Sequence, residues 1–352
     1  MKTELRYTPQ NSPSIGVSSL LDEAWRLGPF APPFTFSAFF SPEDTLLGAC
    51  AADAARQLVG GATAAARGCF RITELTSGSG LIGLYLLGRD RNATLLGLDI
   101  DGEAKRVAEQ NALRLGLANR TRFAQSDLWS PSTLGVLQSE KPQMIVCNPP
   151  YVPEPPGTRM EIEAGAGPHG TAHLLRALEL TRQVQPDTLA LSWCSLSDPA
   201  GIVTAAEASG YELHTLFVTA IADGEYSGSV HTYLRDLDDC YINEQSETLR
   251  LIAPDGSARF AYLLLAGAFR RRVRGRQAST ASAAVRTICQ DFSRSGAFTL
   301  VSGVLPVDRS ALPDCPADAP FSLHYSVLSR WDELRLRVML HGEVARRRTA
   351  PA

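Results

Sequence analysis

Asn148, Pro149, Pro150 and Tyr151 stand directly after the apolar run Met144, Ile145, Val146, Cys147. Two successive prolines fix the backbone and remove two N–H donors, which leaves the Asn148 side-chain oxygen and the Pro149 carbonyl as rigid acceptors. Such a pocket grips an NH2 group, and Tyr151 adds an aromatic face for stacking or for a cation. Upstream, a strand-like run ends at Glu74 and Leu75 and passes into Thr76, Ser77, Gly78, Ser79 and Gly80 before an apolar helix begins. Glycines in a strand-to-helix turn let a ligand approach the backbone, and the helix start offers unpaired N–H groups. A further run, residues 94–100, ends in Asp99 and Ile100 about twenty residues beyond the glycines, where a doubly wound fold sets an acid on ribose hydroxyls. Asp101 reads instead as the N-cap of the next helix, because Gly102 and Glu103 follow it. Asp127 and Leu128 close another strand-like run and place a carboxylate by an adenine amino group.

These residues need a scaffold that brings four chain segments to one edge. Strand-like runs at 69–75, 94–100, 121–124, 144–147 and 188–193 alternate with helical patterns from 80, over 103–115 and over 171–184. Alternation of this kind predicts an α/β fold with a doubly wound, mostly parallel sheet and right-handed crossovers. Ahead of it, Ser41, Pro42, Glu43 and Asp44 open a helix, with a serine N-cap, proline at the first position and acids in the first turn. Residues 1–45 read as an N-terminal extension or lid, whose extended stretch 30–40 brings Phe36 toward a substrate pocket. Residues 46–269 form the ligand-binding domain, which ends in strands at 212–219, 248–252 and 259–266. The last two flank Pro254, Asp255 and Gly256, a turn with proline presetting φ and glycine taking positive φ, so an antiparallel hairpin is expected to close the sheet edge. Residues 277–345 offer a helix at 281–293 and strand-like runs at 297–304, 322–326 and 334–341, read as a separate small α+β module.

The chain has 352 residues, a formal charge of −3 and a pI near 6.1, and therefore lacks the positive field on which nucleic-acid binding draws. No nucleic-acid partner is expected, and the arginines of 270–276 read as a solvated linker. Seven cysteines without a close pair suit free thiols in a reducing compartment. Neither a leader-like apolar stretch nor a long apolar run is present, so a cytoplasmic location away from membranes is expected. His169 and His173 are four apart, but Gly170 between them and the lack of a third ligand nearby argue against a metal, and none is expected. Ser192 and Ser195, flanking Trp193 and Cys194 after a strand, read as walls of a substrate pocket. Tyr226 and Tyr233, in a polar stretch, are candidates to cap it.

Glu74 to Gly80, Asp99, Asp127 and Asn148 to Tyr151 together resemble the class I S-adenosylmethionine-dependent methyltransferases, in particular the HemK-like branch that methylates the glutamine side-chain amide of release factors. The likeness runs over roughly residues 38–220. It includes Phe40 to Leu47 before the core and Gly165 to Gly170 after the catalytic turn. It implies a Rossmann-like fold with S-adenosylmethionine as cofactor. Glu74, Thr76, Ser77, Gly78 and Gly80 would cradle its methionine end, Asp99 with Ile100 its ribose, and Asp127 with Leu128 its adenine; Asn148, Pro149, Pro150 and Tyr151 would hold the attacking nitrogen. The family opens this loop Asp-x-Gly-x-Gly-x-Gly, whereas Glu74 and Thr76 occupy the first acid and first glycine here. The expected reaction is N-methylation of a small-molecule amine in bacterial secondary metabolism. Alternatives are cyclisation of S-adenosylmethionine itself to azetidine-2-carboxylate with release of methylthioadenosine, methylation of a protein glutamine, and cofactor binding without catalysis. The glutamine alternative is disfavoured at this point because the N-terminal region does not resemble a helical release-factor-binding domain.

Overall fold

The computed structural model describes residues 6–7, 42–60, 69–222, 230, 232–234, 236–237, 250–252, 258–272, 280–294 and 314–325. The strands are β1 (Arg6–Tyr7), β2 (Phe70–Leu75), β3 (Ala93–Asp99), β4 (Thr121–Gln125), β5 (Met144–Cys147), β6 (Thr188–Cys194), β7 (Tyr211–Ala222), β8 (Arg250–Ile252), β9 (Ala258–Arg271) and β10 (Ser322–Tyr325). The helices are α1 (Pro42–Gly60), α2 (Leu81–Arg89), α3 (Gly102–Arg114), α4 (Pro131–Glu140), α5 (Ala172–Val184), α6 (Pro199–Ala208) and α7 (Ala281–Arg294).

The strands form one sheet in the order β1-β10-β7-β9-β6-β5-β2-β3-β4, with β8 paired to β9 off this path. From β4 to β6 all neighbours are parallel. Buried on both faces, such strands read as continuous apolar runs, and all four residues of β5 and all seven of β6 are buried. The chain starts its winding at β2, moves outward through β3 and β4, then returns to β5 on the other side of β2. The crevice beyond the carboxyl ends of β2 and β5 is therefore the topological switch point, where doubly wound sheets hold ligands. Helix α1 packs on α2 and across β6, β7 and β9, while α4, α5, α6 and α7 pack in sequence against one another.

The mostly parallel doubly wound sheet matches the expectation; two of its extensions are placed differently. The expected edge hairpin is not at the edge, because β9 inserts antiparallel between β6 and β7, and only the short β8 lies outside. Its run from Tyr262 to Phe269 is buried throughout, the pattern of a central strand, and an added Cβ at Gly267 would stand 2.8 Å from the Trp193 ring. This strand also takes up Arg270 and Arg271, the start of the expected linker, and Arg271 reaches the Asp187 carboxylate at 2.9 Å. Beyond the proposed boundary at 277, β10 adds parallel to β7 in the same sheet. Helix α7 docks on α6 through Ser282, which donates to the Ala200 carbonyl at 2.9 Å. Val285, Ile288, Cys289 and Phe292 form one buried stripe of α7, and the Phe292 and Tyr325 rings lie 5.6 Å apart. The described part of 277–345 thus shares the main core. The expected strands at 297–304 and 334–341, the lid with Phe36, and Tyr226 lie outside the described residues. Among those described, no helix is long and apolar enough to cross a membrane.

Candidate active site

Backbone geometry makes the loop after β2 unusual. Thr76, Gly78 and Gly80 all have positive φ, at 52°, 49° and 74°. Thr76 is the exception among them, since a β-branched residue resists this region. Its hydroxyl lies 2.6 Å from the Leu75 carbonyl and 3.0 Å from the Asn148 carbonyl, which ties the loop to the proline turn. On the other side, the Ser77 N–H donates to the Leu98 carbonyl at 3.0 Å and the Gly78 N–H to Asp99 Oδ2 at 2.7 Å. The second Asp99 oxygen accepts from the Asp101 N–H at 2.9 Å. Asp101 in turn caps α3, its side chain accepting from the Glu103 N–H at 2.8 Å, as the sequence implied. Asn111 of α3, a residue that sequence reasoning passed over, is buried and donates to the Ser79 carbonyl at 2.9 Å.

Glu74 was expected among the cofactor contacts, and the structure directs one of its carboxylate oxygens to the start of α2. It is 3% exposed, and its carboxylate accepts the Gly83 N–H at 3.0 Å, supplying the acceptor that the N-cap Gly80 lacks. Burial pushes its carboxyl well above the ordinary range, aided by the negative charges of Asp44 and Asp99, while the Gly83 and Ile82 N–H groups oppose the shift. Burial likewise raises Asp99, against the pull of the Asp101 and Gly78 N–H groups. The Cys147 thiol, also buried here, is pushed up to about 12 chiefly by desolvation, so it is no nucleophile.

Asn148 is held at both ends of its amide. Its Nδ2 donates to Asp44 Oδ1 at 2.8 Å, and its Oδ1 accepts from the Ser192 hydroxyl. Asp44 comes from the first turn of α1 and was legible only as a charge favourable to that helix. Of the two serines expected to wall a substrate pocket, Ser192 reaches the Asn148 amide, while Ser195 turns toward β9. The Ser195 hydroxyl accepts the Leu263 N–H at 3.1 Å and is committed to β9. Tyr151 is 7% exposed, so most of its ring is enclosed, and its carbonyl accepts from the Ser197 hydroxyl at 2.8 Å. Gly170 closes against the same carbonyl, at φ 65°, where an added Cβ would lie 2.3 Å away. Val152 and Gly165 pair in a parallel bridge that folds the long segment after the turn back on itself. Tyr233 donates to the Pro168 carbonyl at 2.7 Å, which sets it over this segment.

At the far end of the crevice Ile100 is 43% exposed beside Asp99, and Leu128 is buried. Asp127 is exposed, and one of its oxygens accepts the Trp129 N–H at 2.9 Å. His173 meets the Trp129 ring edge-on at 5.8 Å, and burial lowers its pKa. Among the described residues no cluster of histidine, cysteine or carboxylate side chains is arranged to hold a metal. Asp44 and Asp99 both stand near enough to Glu74 to raise its carboxyl. A nucleoside cofactor fits the groups around the crevice: a glycine loop open to close approach, a carboxylate at the end of β3, an apolar side chain beside it, and an exposed carboxylate beyond.

No family model matches the chain. Over 97 residues it is 43% identical to a release factor glutamine methyltransferase from Rhodospirillum rubrum, covering 27% of this chain and 28% of that protein. A protein of the same name from Bacillus subtilis is 37% identical over 87 residues, 25% of this chain and 28% of the relative. A tRNA1(Val) (adenine(37)-N6)-methyltransferase from Enterobacter sp. is 32% identical over 121 residues, 34% and 46% of the two chains. The chain thus spans from about a quarter to under half the length of these curated relatives. Among solved structures, YcgJ from Bacillus subtilis superposes with a TM-score of 0.39 at 14% identity, over 63% of this chain and 99% of that one. In its strand order, its glycine loop and its Asn-Pro-Pro-Tyr turn, and in the identity over the matched stretch, the core of this chain is similar to that of class I, HemK-like S-adenosylmethionine-dependent methyltransferases.

Proposed function

We propose that this chain transfers a methyl group from S-adenosylmethionine to a planar NH2 nitrogen of a macromolecular substrate, namely a glutamine side-chain amide of a protein. The observation that carries the reading is the fixed amide of Asn148, nitrogen on Asp44 and oxygen toward Ser192. With a lone pair remaining on Oδ1 and the Pro149 carbonyl adjacent, the turn offers two acceptors to the two hydrogens of one NH2 group. The cofactor supplies an activated methyl group on its sulfonium. The chain's own task is to hold the acceptor nitrogen in line, and a pair of fixed acceptors does so while drawing off positive charge that develops on the N–H bonds. A methylated, protonated amide nitrogen is strongly acidic and sheds its proton to water, so the turn needs no strong base.

Support for a protein acceptor comes from relatives that carry the name release factor glutamine methyltransferase. The tRNA relative offers another macromolecular acceptor, but a net charge of −3 gives this chain little attraction for a polyanion. Small-molecule methylation, the expected reaction, and its cyclisation alternative have no counterpart among these relatives. The test incubates the protein with S-adenosylmethionine and, separately, glutamine-bearing peptides and proteins, adenine-containing RNA, and free amines. Glutamine modified by one methyl increment, in step with S-adenosylhomocysteine, is the expected result. Label entering only RNA or free amines, or methylthioadenosine formed without any acceptor, would overturn it.

A further inference from the structure

The amide of Asn148 has two ends of nearly equal shape and opposite chemistry. Rotating it by half a turn would replace the acceptor offered to a substrate with a donor, and packing alone discriminates poorly between the two states. The structure contains a device that does discriminate. Asp44 Oδ1 stands 2.8 Å from Nδ2, and an ionised carboxylate can only accept. The reversed amide would set oxygen against oxygen at that contact, without a hydrogen between them. At the opposite end the Ser192 hydroxyl, on a residue 2% exposed, donates to Oδ1. A third contact, from Thr76 Oγ1 to the Asn148 carbonyl at 3.0 Å, holds the backbone from which the amide projects. The contacts come from α1, β6 and the loop after β2, so three elements far apart in sequence converge on one side chain.

We propose that Asp44 is a positioning residue, which acts through Asn148 to lock the amide with its oxygen toward the acceptor nitrogen, Ser192 completing the lock. The proposal rests on the reading of the turn as an NH2 pocket. It adds the source of the preference for a hydrogen-bond donor as substrate. Asp44→Asn keeps size and shape but presents either a donor or an acceptor, so it removes the discrimination without opening a cavity. Ser192→Ala removes the other half, and Ser192→Thr keeps the hydroxyl.

Three measurements decide it. In protein labelled with 15N at asparagine, the side-chain NH2 pair of Asn148 is identified by its loss in Asn148→Ala. In the parent protein one proton of that pair should be shifted downfield and slow to exchange, and in Asp44→Asn both signs should disappear. This measurement needs no substrate, so it decides the lock even where the glutamine reading fails. With an acceptor that the parent protein methylates, kcat should fall about tenfold to a hundredfold in Asp44→Asn, the effect of a small misplacement. Binding of S-adenosylmethionine, followed by calorimetry, should stay within about twofold. Ser192→Ala should lower kcat in the same way, Ser192→Thr should recover it, and the double variant Asp44→Asn/Ser192→Ala should lose less than the product of the two single effects. Three results would overturn the proposal: an unprotected NH2 pair in the parent protein, unchanged kcat in Asp44→Asn, or a loss of cofactor affinity that accounts for the fall in rate.

Discussion

Thr76 offers the sharpest quantitative test, because its backbone and its hydroxyl pull in opposite directions. At φ 52° a residue with a Cβ is disfavoured by about 1–2 kcal/mol, a penalty that glycine escapes. Glycine in turn loses about 0.4–1 kcal/mol more chain entropy on folding than alanine. Glycine at position 76 should therefore be more stable than alanine by roughly 0.5–1 kcal/mol. Both lose the hydroxyl, which contacts the Leu75 and Asn148 carbonyls and contributes about 1 kcal/mol. The predicted order of stability in urea unfolding is Thr76→Ser at or near the parent protein, Thr76→Gly close below it, and Thr76→Ala lowest. Turnover should follow the hydroxyl instead, retained in serine and reduced several-fold in both glycine and alanine, since both release the Asn148 carbonyl. Alanine as stable as glycine would refute the strain, and a glycine variant with full turnover would refute the tie.

Other consequences follow from the same site. Because burial raises the Glu74 carboxyl, the folded chain holds its proton more tightly than the unfolded one. Its contribution to stability is thus complete below the unfolded pKa and is lost as pH rises through the raised folded value. Urea unfolding across a pH series should show that decline, Glu74→Gln should flatten it, and an identical slope in the variant would exclude Glu74 as its source. Asp99→Asn replaces one of two oxygens that accept backbone N–H groups with a donor, so S-adenosylmethionine binding measured by calorimetry should weaken about tenfold or more; unchanged affinity would remove Asp99 from the site. Gly170→Ala would set a Cβ 2.3 Å from the Tyr151 carbonyl oxygen. It should cost about 2 kcal/mol or more of stability, with turnover falling further than cofactor affinity, and a neutral effect on both would contradict the tight contact.

Much of the parallel sheet could be read from apolar runs, since a strand buried on both faces has no alternation to hide it. Met144 to Cys147 and the run ending at Asp99 are of this kind, and the residues that follow them fall at the switch point by topology alone. Asp44 could not be read in the same way. An acid in a helix's first turn has a sufficient local explanation, and its bond to Asn148 spans 104 positions. Similarly, Glu74 stands where the resemblance expects a cofactor ligand, yet its longer side chain reaches the start of α2, a matter of side-chain length invisible to a motif. The misplaced hairpin has another cause: the residue types of Pro254, Asp255 and Gly256, which lie outside the described residues, signal a turn by composition but carry no information about which third strand a hairpin will join. Likewise the arginines at 270 and 271 signal solvent by composition, while Asp187 and Gln57 provide the partners that let them end a strand.

The interior position of β9 has a consequence for how the chain reaches this state during synthesis. Strands β2 to β6 leave the ribosome first and can assemble in parallel, but β6 then has one free backbone edge that β7 cannot cover, because β7 is not its neighbour. That edge stays open until Arg271 has emerged, which at roughly 5–20 residues per second amounts to several seconds of exposure. The nascent chain therefore passes through a stage with an unpaired apolar strand, the condition under which edge-to-edge association begins. Truncations that end before residue 258 should accordingly be insoluble or chaperone-bound, even though they contain every residue assigned to the site.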